Sequence, residues 1–156
     1  AGIRLGDDVA KDMIAVRISD DLSMCVVATP QFLAQHGTPI TPYDLTDYPC
    51  IGLRLPTHGG LLPWEFSDPK RHKVIKVTPE AQLISNSASV NLTAVLASQG
   101  LLWTPKVVAK DAIHTGELVE VLADWAITYQ GFYLYYPNRR ADYTPLRALV
   151  ELLKYA

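Results

Sequence analysis

The sequence predicts an α/β fold with mostly parallel strand pairing. Three observations lead there. Apolar runs of strand length alternate along the chain with segments of helical pattern. The connections between them are short and marked by proline and glycine. No internal repeat and no low-complexity linker interrupts the alternation. Strands that alternate with helices through short crossovers favour a sheet covered by helices.

Taken in order, Ala1 to Asp7 reads as the end of a strand running into a loop, which suggests that a longer chain has been truncated in front of it. Ile14 to Ile18 alternates as a half-exposed strand does, and Asp20-Asp21 makes a turn. Met24 to Ala28 is a continuous apolar run, as expected of a strand covered on both faces. Thr29-Pro30 opens a short helix, Gln31 to Gln35, stopped by Gly37 and Pro39. Thr41-Pro42 repeats the device, with Asp44 in the first turn, where the helix dipole favours an acid. Cys50 to Leu55 is a buried strand, and Pro56 to Leu62, with Gly59-Gly60, is a loop. Trp64 to Phe66 and Lys73 to Val77 pair as a hairpin around Ser67-Asp68-Pro69-Lys70.

Leu83-Ile84 leads to a helix over Ala88 to Gln99, with Ala88, Leu92, Val95 and Leu96 inward and Gly100 ending it. Leu101 to Thr104 is a strand, and Thr104-Pro105 caps a helix reaching Ala112. Gly116 starts a strand near the surface, Glu117 to Leu122, closed by Asp124-Trp125. Gly131 to Pro137 is a buried strand, and Asn138 to Arg140 a polar turn. Thr144 suits an N-cap and Pro145 the first helical position, with Leu146, Leu149, Val150 and Leu153 on one face.

Composition excludes several classes. Hydrophobic residues are 49% of the 156 and charged residues 19%, which supplies a core and argues against disorder. The formal charge of -2 opposes a domain that neutralises nucleic-acid phosphates. The one short basic cluster, Lys70 to Lys73, reads as a solvated turn. No apolar run approaches the ~20 residues needed to span a bilayer. No signal peptide is visible, and two cysteines, Cys25 and Cys50, lie in strand-like runs. Buried thiols fit them, and a disulfide, metal or redox role stays open. These features favour the cytoplasm.

Several phrases stand in an informative order: Ile3-Arg4-Leu5-Gly6; Val26 to Pro30 with Phe32-Leu-Ala and His36 to Pro39; Thr41 to Leu45; Tyr48 to Ile51; Trp64-Glu-Phe66; Asn86 before a helix; Gly100 to Pro105; Gly116 to Leu122; Asp124-Trp125; and Tyr135-Tyr136-Pro137. In wording and spacing the chain resembles the effector-binding domain of LysR-type transcriptional regulators. That resemblance implies a fold like a type II periplasmic binding protein, with two α/β lobes joined by crossover strands. Residues 22–128 would form the second lobe, and 1–21 with 129–156 a remnant of the first. It implies a small-molecule effector bound between lobes, and a homodimer or tetramer in the full protein. DNA would be reached only through an N-terminal domain absent here. A solute-binding protein of a transport system shares the lobed plan and is the alternative. No membrane partner and no cofactor is implied.

The candidate ligand residues follow from strand ends and helix starts. Open α/β sheets bind ligands where strand carboxyl ends meet helix N-termini, whose free N–H groups suit an anion. Asn86, Ser87 and Ser89 sit at such a start, where capping and ligand contact both fit. Arg4 ends a strand beside Gly6, and Arg54 lies in an apolar strand, where a guanidinium needs a partner. Either arginine fits a carboxylate ligand, a protein salt bridge or a reach to solvent. Thr29 fits a hinge contact or a helix cap, and Trp103 a pocket wall or plain core. His36, His58, His72 and His114 are scattered without metal-ligand spacing, and no nucleophile motif appears, so an enzyme is not expected. The expected charge complement of these arginines is a small anionic metabolite.

Overall fold

The computed structural model describes residues 1–6, 10–55 and 59–155. Asp7, Pro56, Thr57 and His58, parts of the loops expected at those places, lie outside the described residues. The chain divides into two compact units, Ser23–Ile127 and the pair Ala1–Leu22 with Thr128–Ala156.

The first unit holds an antiparallel sheet of β1 (Gly2–Leu5), β2 (Met13–Arg17) and β11 (Phe132–Pro137) in the order β1-β11-β2. Leu134 faces Ile3 on one side and Val16 on the other. β11 is not buried throughout: burial alternates, with Leu134 and Tyr136 inward. This is the period of two expected of a sheet with one covered face. A 3-10 turn, Asn138–Arg140, leads to α4 (Thr144–Leu153). Tyr143, not Thr144, stands at the N-cap, so Thr144 and Pro145 both fall inside the first turn. Leu146, Val150 and Leu153 are half-buried, whereas Leu149 is exposed.

The second unit begins with β3 (Leu22–Ala28), which starts one residue before the unit's boundary. α1 (Pro30–His36) follows, then a 3-10 helix (Pro42–Asp47), β4 (Cys50–Leu53), β5 (Trp64–Ser67), β6 (Val74–Val77) and β7 (Ala81–Ser85). α2 (Ala88–Leu96), β8 (Leu101–Pro105), α3 (Lys106–Thr115), β9 (Val119–Val121) and a 3-10 turn (Ala123–Trp125) complete it. The two-residue β10 (Thr128–Tyr129) comes next in the chain.

β4 runs parallel to β7 and to β8; β3 runs antiparallel to both β8 and β9, and β5 with β6 is an antiparallel hairpin. The expectation of mostly parallel pairing therefore fails. Alternation records that helices intervene, but not the direction in which β3 enters the sheet.

This sheet separates two cores. Val26 and Ala28 of β3, Cys50 of β4 and Leu101 of β8 point to one side, with Phe32, Leu45, Trp64 and Phe66 packed over them. Cys25, Val27, Ile51 and Leu102 point to the other, beneath Ala94, Val95 and Ala109 of α2 and α3. Successive strand residues alternate faces, so a continuous apolar run is what a strand buried on both sides requires. Each valine, leucine or isoleucine among them contributes about 1.5–3 kcal/mol on burial.

The ends of α2 and α3 also differ from the sequence reading. α2 stops at Leu96, because Ser98 turns the chain with φ 59°. Gly100 serves instead for close approach: a Cβ there would lie 2.8 Å from Pro49 O. Asn91, Ala94 and Val95 face inward, while Ala88 and Leu96 are exposed. Thr104 stays in β8 opposite Cys25, so Pro105 occupies the N-cap of α3 without a side-chain cap. Gly116 is the left-handed C-cap of α3, and beyond it Glu117 and Val119 are exposed while Leu118, Val121 and Leu122 are buried. Among the described residues no helix is long and apolar enough to cross a membrane.

The Thr41-Pro42 start forms a 3-10 helix. Asp44 Oδ2 accepts the N–H groups of Ile40 and Thr41, each at 2.9 Å, and these bonds hold its carboxyl below the ordinary carboxylate range. A depressed folded-state pKa stabilises the fold above the unfolded value, and the gain is lost as pH falls through the folded one. Asp44→Ala is expected to lower stability at pH 7 by about 1 kcal/mol or less, as for a solvent-screened cap. Urea unfolding should show the gap closing as pH drops below 3.8.

Candidate functional site

The carboxyl ends of β4, β7 and β8 share one edge of the second unit's sheet, because the three strands run parallel. Leu53 lies opposite Ser85, and the next N–H, that of Arg54, donates to Ser85 O at 3.0 Å. Arg54 thus lies beside the start of α2. It is not within the buried part of the strand: β4 ends at Leu53, and Arg54 bridges Leu61 with its side chain exposed. The guanidinium escapes the desolvation cost that an interior position imposes. It makes no ion pair among the described residues.

The turn into α2 is built from serines. Ser85 Oγ accepts Ser87 N at 2.8 Å and donates to Ser87 O at 3.2 Å. Ser87 Oγ accepts from Val90 N at 3.4 Å, so capping is one of its uses. It also shares a hydrogen bond with Ser89 Oγ at 3.0 Å. Two hydroxyls carry two hydrogens, and their mutual bond consumes one. The second has no acceptor among the described residues. Asn86 and Ser89 are exposed. A guanidinium, a spare hydroxyl hydrogen and the N–H groups of a helix start all donate, which is the chemistry an anion requires.

Thr29 stands elsewhere. β3 runs opposite to β8, so the residue after its carboxyl end lies at the other edge of the sheet from Arg54 and Ser87. Its Oγ1 caps α1 by accepting Phe32 N at 3.1 Å and bonds Ser98 Oγ at 2.5 Å. Trp103 is half-buried against the Val26 and Trp64 core, as a core residue would be. Arg4 belongs to the first unit, exposed on β1 opposite Tyr133.

The sequence reading missed two polar groups here. Lys106, first in α3 just past the carboxyl end of β8, pairs with Glu120 at 3.0 Å. That hydrogen-bonded carboxylate raises the Lys106 ammonium above the usual lysine range. The strand-end rule used for Asn86 points equally to Thr104-Pro105-Lys106. Asn91 is 2% exposed and donates from Nδ2 to Gly52 O at 3.4 Å, tying α2 to β4. No signal in the sequence marks it, since an asparagine on a helix face reads as solvated.

Among the described residues no three of His, Cys, Asp and Glu cluster to hold a metal ion. His36 ends α1, stacked 4.2 Å from the Phe32 ring, and His114 lies in the last turn of α3. The Lys70 to Lys73 cluster is exposed, and Asp68 Oδ1 accepts Lys70 N and Arg71 N.

A family model described as the LysR substrate binding domain matches residues 1–156. The chain belongs to this family. Among relatives of the LysR domain, a putative transcriptional regulator of Pseudomonas aeruginosa is 41% identical over 99% of this chain and 50% of its own length. The HTH-type transcriptional regulator PgrR of Escherichia coli is 33% identical over 99% of this chain and 51% of its own. The chain spans about half the length of the curated relatives it matches. The regulatory domain of AphB from Vibrio vulnificus superposes with a TM-score of 0.78 at 23% identity, covering 96% of this chain and 73% of that one. The regulatory domain of CrgA, a LysR-type transcriptional regulator from Neisseria meningitidis, gives 0.71 at 25%, covering 97% and 72%. The LysR regulatory fold, with its periplasmic-binding-protein-like plan, is thereby shown for this chain.

The two cysteines of this LysR domain are free thiols on opposite faces of the sheet, in separate cores. Burial pushes each thiol up to about 12, and Glu120 adds to the effect at Cys25. Neither is a thiolate at neutral pH, so neither is nucleophilic. A thiol-reactive disulfide reagent at pH 8 is expected to leave both unlabelled in the folded chain and to label both in denaturant. Rapid labelling of one equivalent in the folded chain would contradict the burial described.

Proposed function

We propose that this chain is the effector-sensing part of a LysR-type transcriptional regulator, and that it takes a small anionic metabolite at the carboxyl edge of the second unit's sheet. One observation carries the reading: Arg54 is held beside Ser85 while Ser87 and Ser89 retain a hydroxyl hydrogen without an acceptor among the described residues. Arg54 supplies charge, Ser87 and Ser89 supply direction, and Asn86 lines the approach. Arg4 is a candidate contact of the first unit. Thr29 and Trp103 are assigned to capping and core.

Ligand binding biases the whole protein between arrangements, and the shift is no larger than the ligand's preference between them. The whole protein works in the cytoplasm as a homodimer or tetramer and meets DNA through a segment outside this chain. No catalytic step belongs to this reading. The named relatives are regulators, which favours it over a solute-binding protein of a transport system.

Calorimetry of the full-length regulator against a panel of small mono- and dicarboxylates tests the proposal. At least one is expected to bind, with Arg54→Gln weakening it about tenfold or more and Ser87→Ala by less, since the charge-assisted bond is the stronger. Arg4→Gln tests the first unit's part separately. No binding across the panel, or binding indifferent to Arg54→Gln, contradicts the assignment.

A further inference from the structure

The chain leaves the first unit at Leu22 and re-enters it at Thr128. Just before the exit, Ser19-Asp20-Asp21 forms no strand and is largely exposed, yet it is held from three sides. Its own strand contributes Arg17, whose Nε donates to Ser19 O at 2.9 Å and whose Nη2 pairs with Asp21 at 2.8 Å. The returning segment contributes Phe132, whose N–H donates to Ser19 Oγ at 2.7 Å. Gly131 permits that approach: a Cβ there would fall 2.2 Å from Asp20 O and 2.5 Å from Ser19 O.

The third side is Tyr155, which follows α4 and folds back onto β2. Its N–H donates to Arg17 O at 2.9 Å, and its phenol donates to the Asp20 carboxylate. The Arg17 guanidinium lies 5.6 Å from its ring centroid, within cation–π range. One arginine thus touches the ring, the neighbouring carboxylate and the backbone between them. None of these contacts belongs to a hydrophobic core.

We propose that Tyr155 is a clamp on the outgoing connection, a conformational device in which its phenol completes the hold that Arg17 and Phe132 exert on Ser19–Asp21, without supporting the fold's interior. The segment passes from the first unit to the second, so its stiffness governs how freely the chain moves at that passage. The position of α4 is transmitted to the connection through Tyr155. This inference is independent of which ligand the second unit takes.

Hydrogen exchange on the full chain, resolved to single amides, tests it. Tyr155→Phe keeps the ring and removes the bond to Asp20. Exchange at the amides of Ile18, Phe132 and Tyr155 is expected to rise about tenfold, the scale for losing one hydrogen bond to a charged group. Amides of Val26, Val27 and Leu102 should stay within about a factor of two. Asp20→Asn retains an acceptor for the phenol and should give a smaller rise. Unchanged exchange at Ile18, Phe132 and Tyr155 in Tyr155→Phe would overturn the clamp. So would a uniform rise across both units, which would make Tyr155 a general stabiliser. A full effect in Asp20→Asn with none in Tyr155→Phe would assign the restraint to Asp20 alone.

Discussion

The second unit depends on the burial of β3 on both faces. Cys25 and Val27 close one core while Val26 and Ala28 close the other, and β8 and β9 hydrogen-bond its two edges. A polar residue within this run would lose solvation on either face, since apolar side chains of the two cores surround it. Apart from Thr104 and Asn91, the polar side chains named here gather at the sheet's ends. The strand directions then decide which polar groups meet.

Those directions divide the polar residues into two groups. Parallel β4 and β7 bring Arg54 and the serines of the α2 start to one edge, and antiparallel β3 carries Thr29 to the other. Thr29 and Ser98 satisfy one another and the α1 cap, so that edge is closed upon itself. The Arg54 edge has donors left over. Surplus donors cost little at a solvated edge but reward an acceptor that reaches them, and a carboxylate offers two oxygens.

Much of the fold was legible because its signals are local. The Thr29-Pro30 cap, the Trp64 hairpin and the two-faced Met24 to Ala28 run each follow from chemistry within a few residues. What sequence could not supply was direction and register. Arg54 read as interior because the apolar run around it is continuous through Leu55, yet the strand ends at Leu53 and frees the guanidinium. Thr29 fitted a hinge contact or a helix cap, and its Oγ1 accepts Phe32 N as a cap does, at the end of the sheet to which the reversal of β3 carries it. Helix α2 read as reaching Gln99 because Gly100 resembles a stop, whereas Ser98 turns the chain first and Gly100 is required by the Pro49 carbonyl. Asn91 and the Tyr155–Asp20 bond depend on residues 39 and 135 positions away, beyond any local pattern.

The proposed ligand chemistry resides at the Arg54 edge. Amide shift mapping by NMR, with succinate titrated into the isotopically labelled full-length regulator, addresses it residue by residue. Saturable shifts are predicted at Arg54 and across Ser85–Ser89, with Thr29 and Ser98 unmoved. Saturable shifts centred on Thr29 and Ser98, with Arg54 and the serines silent, would contradict it.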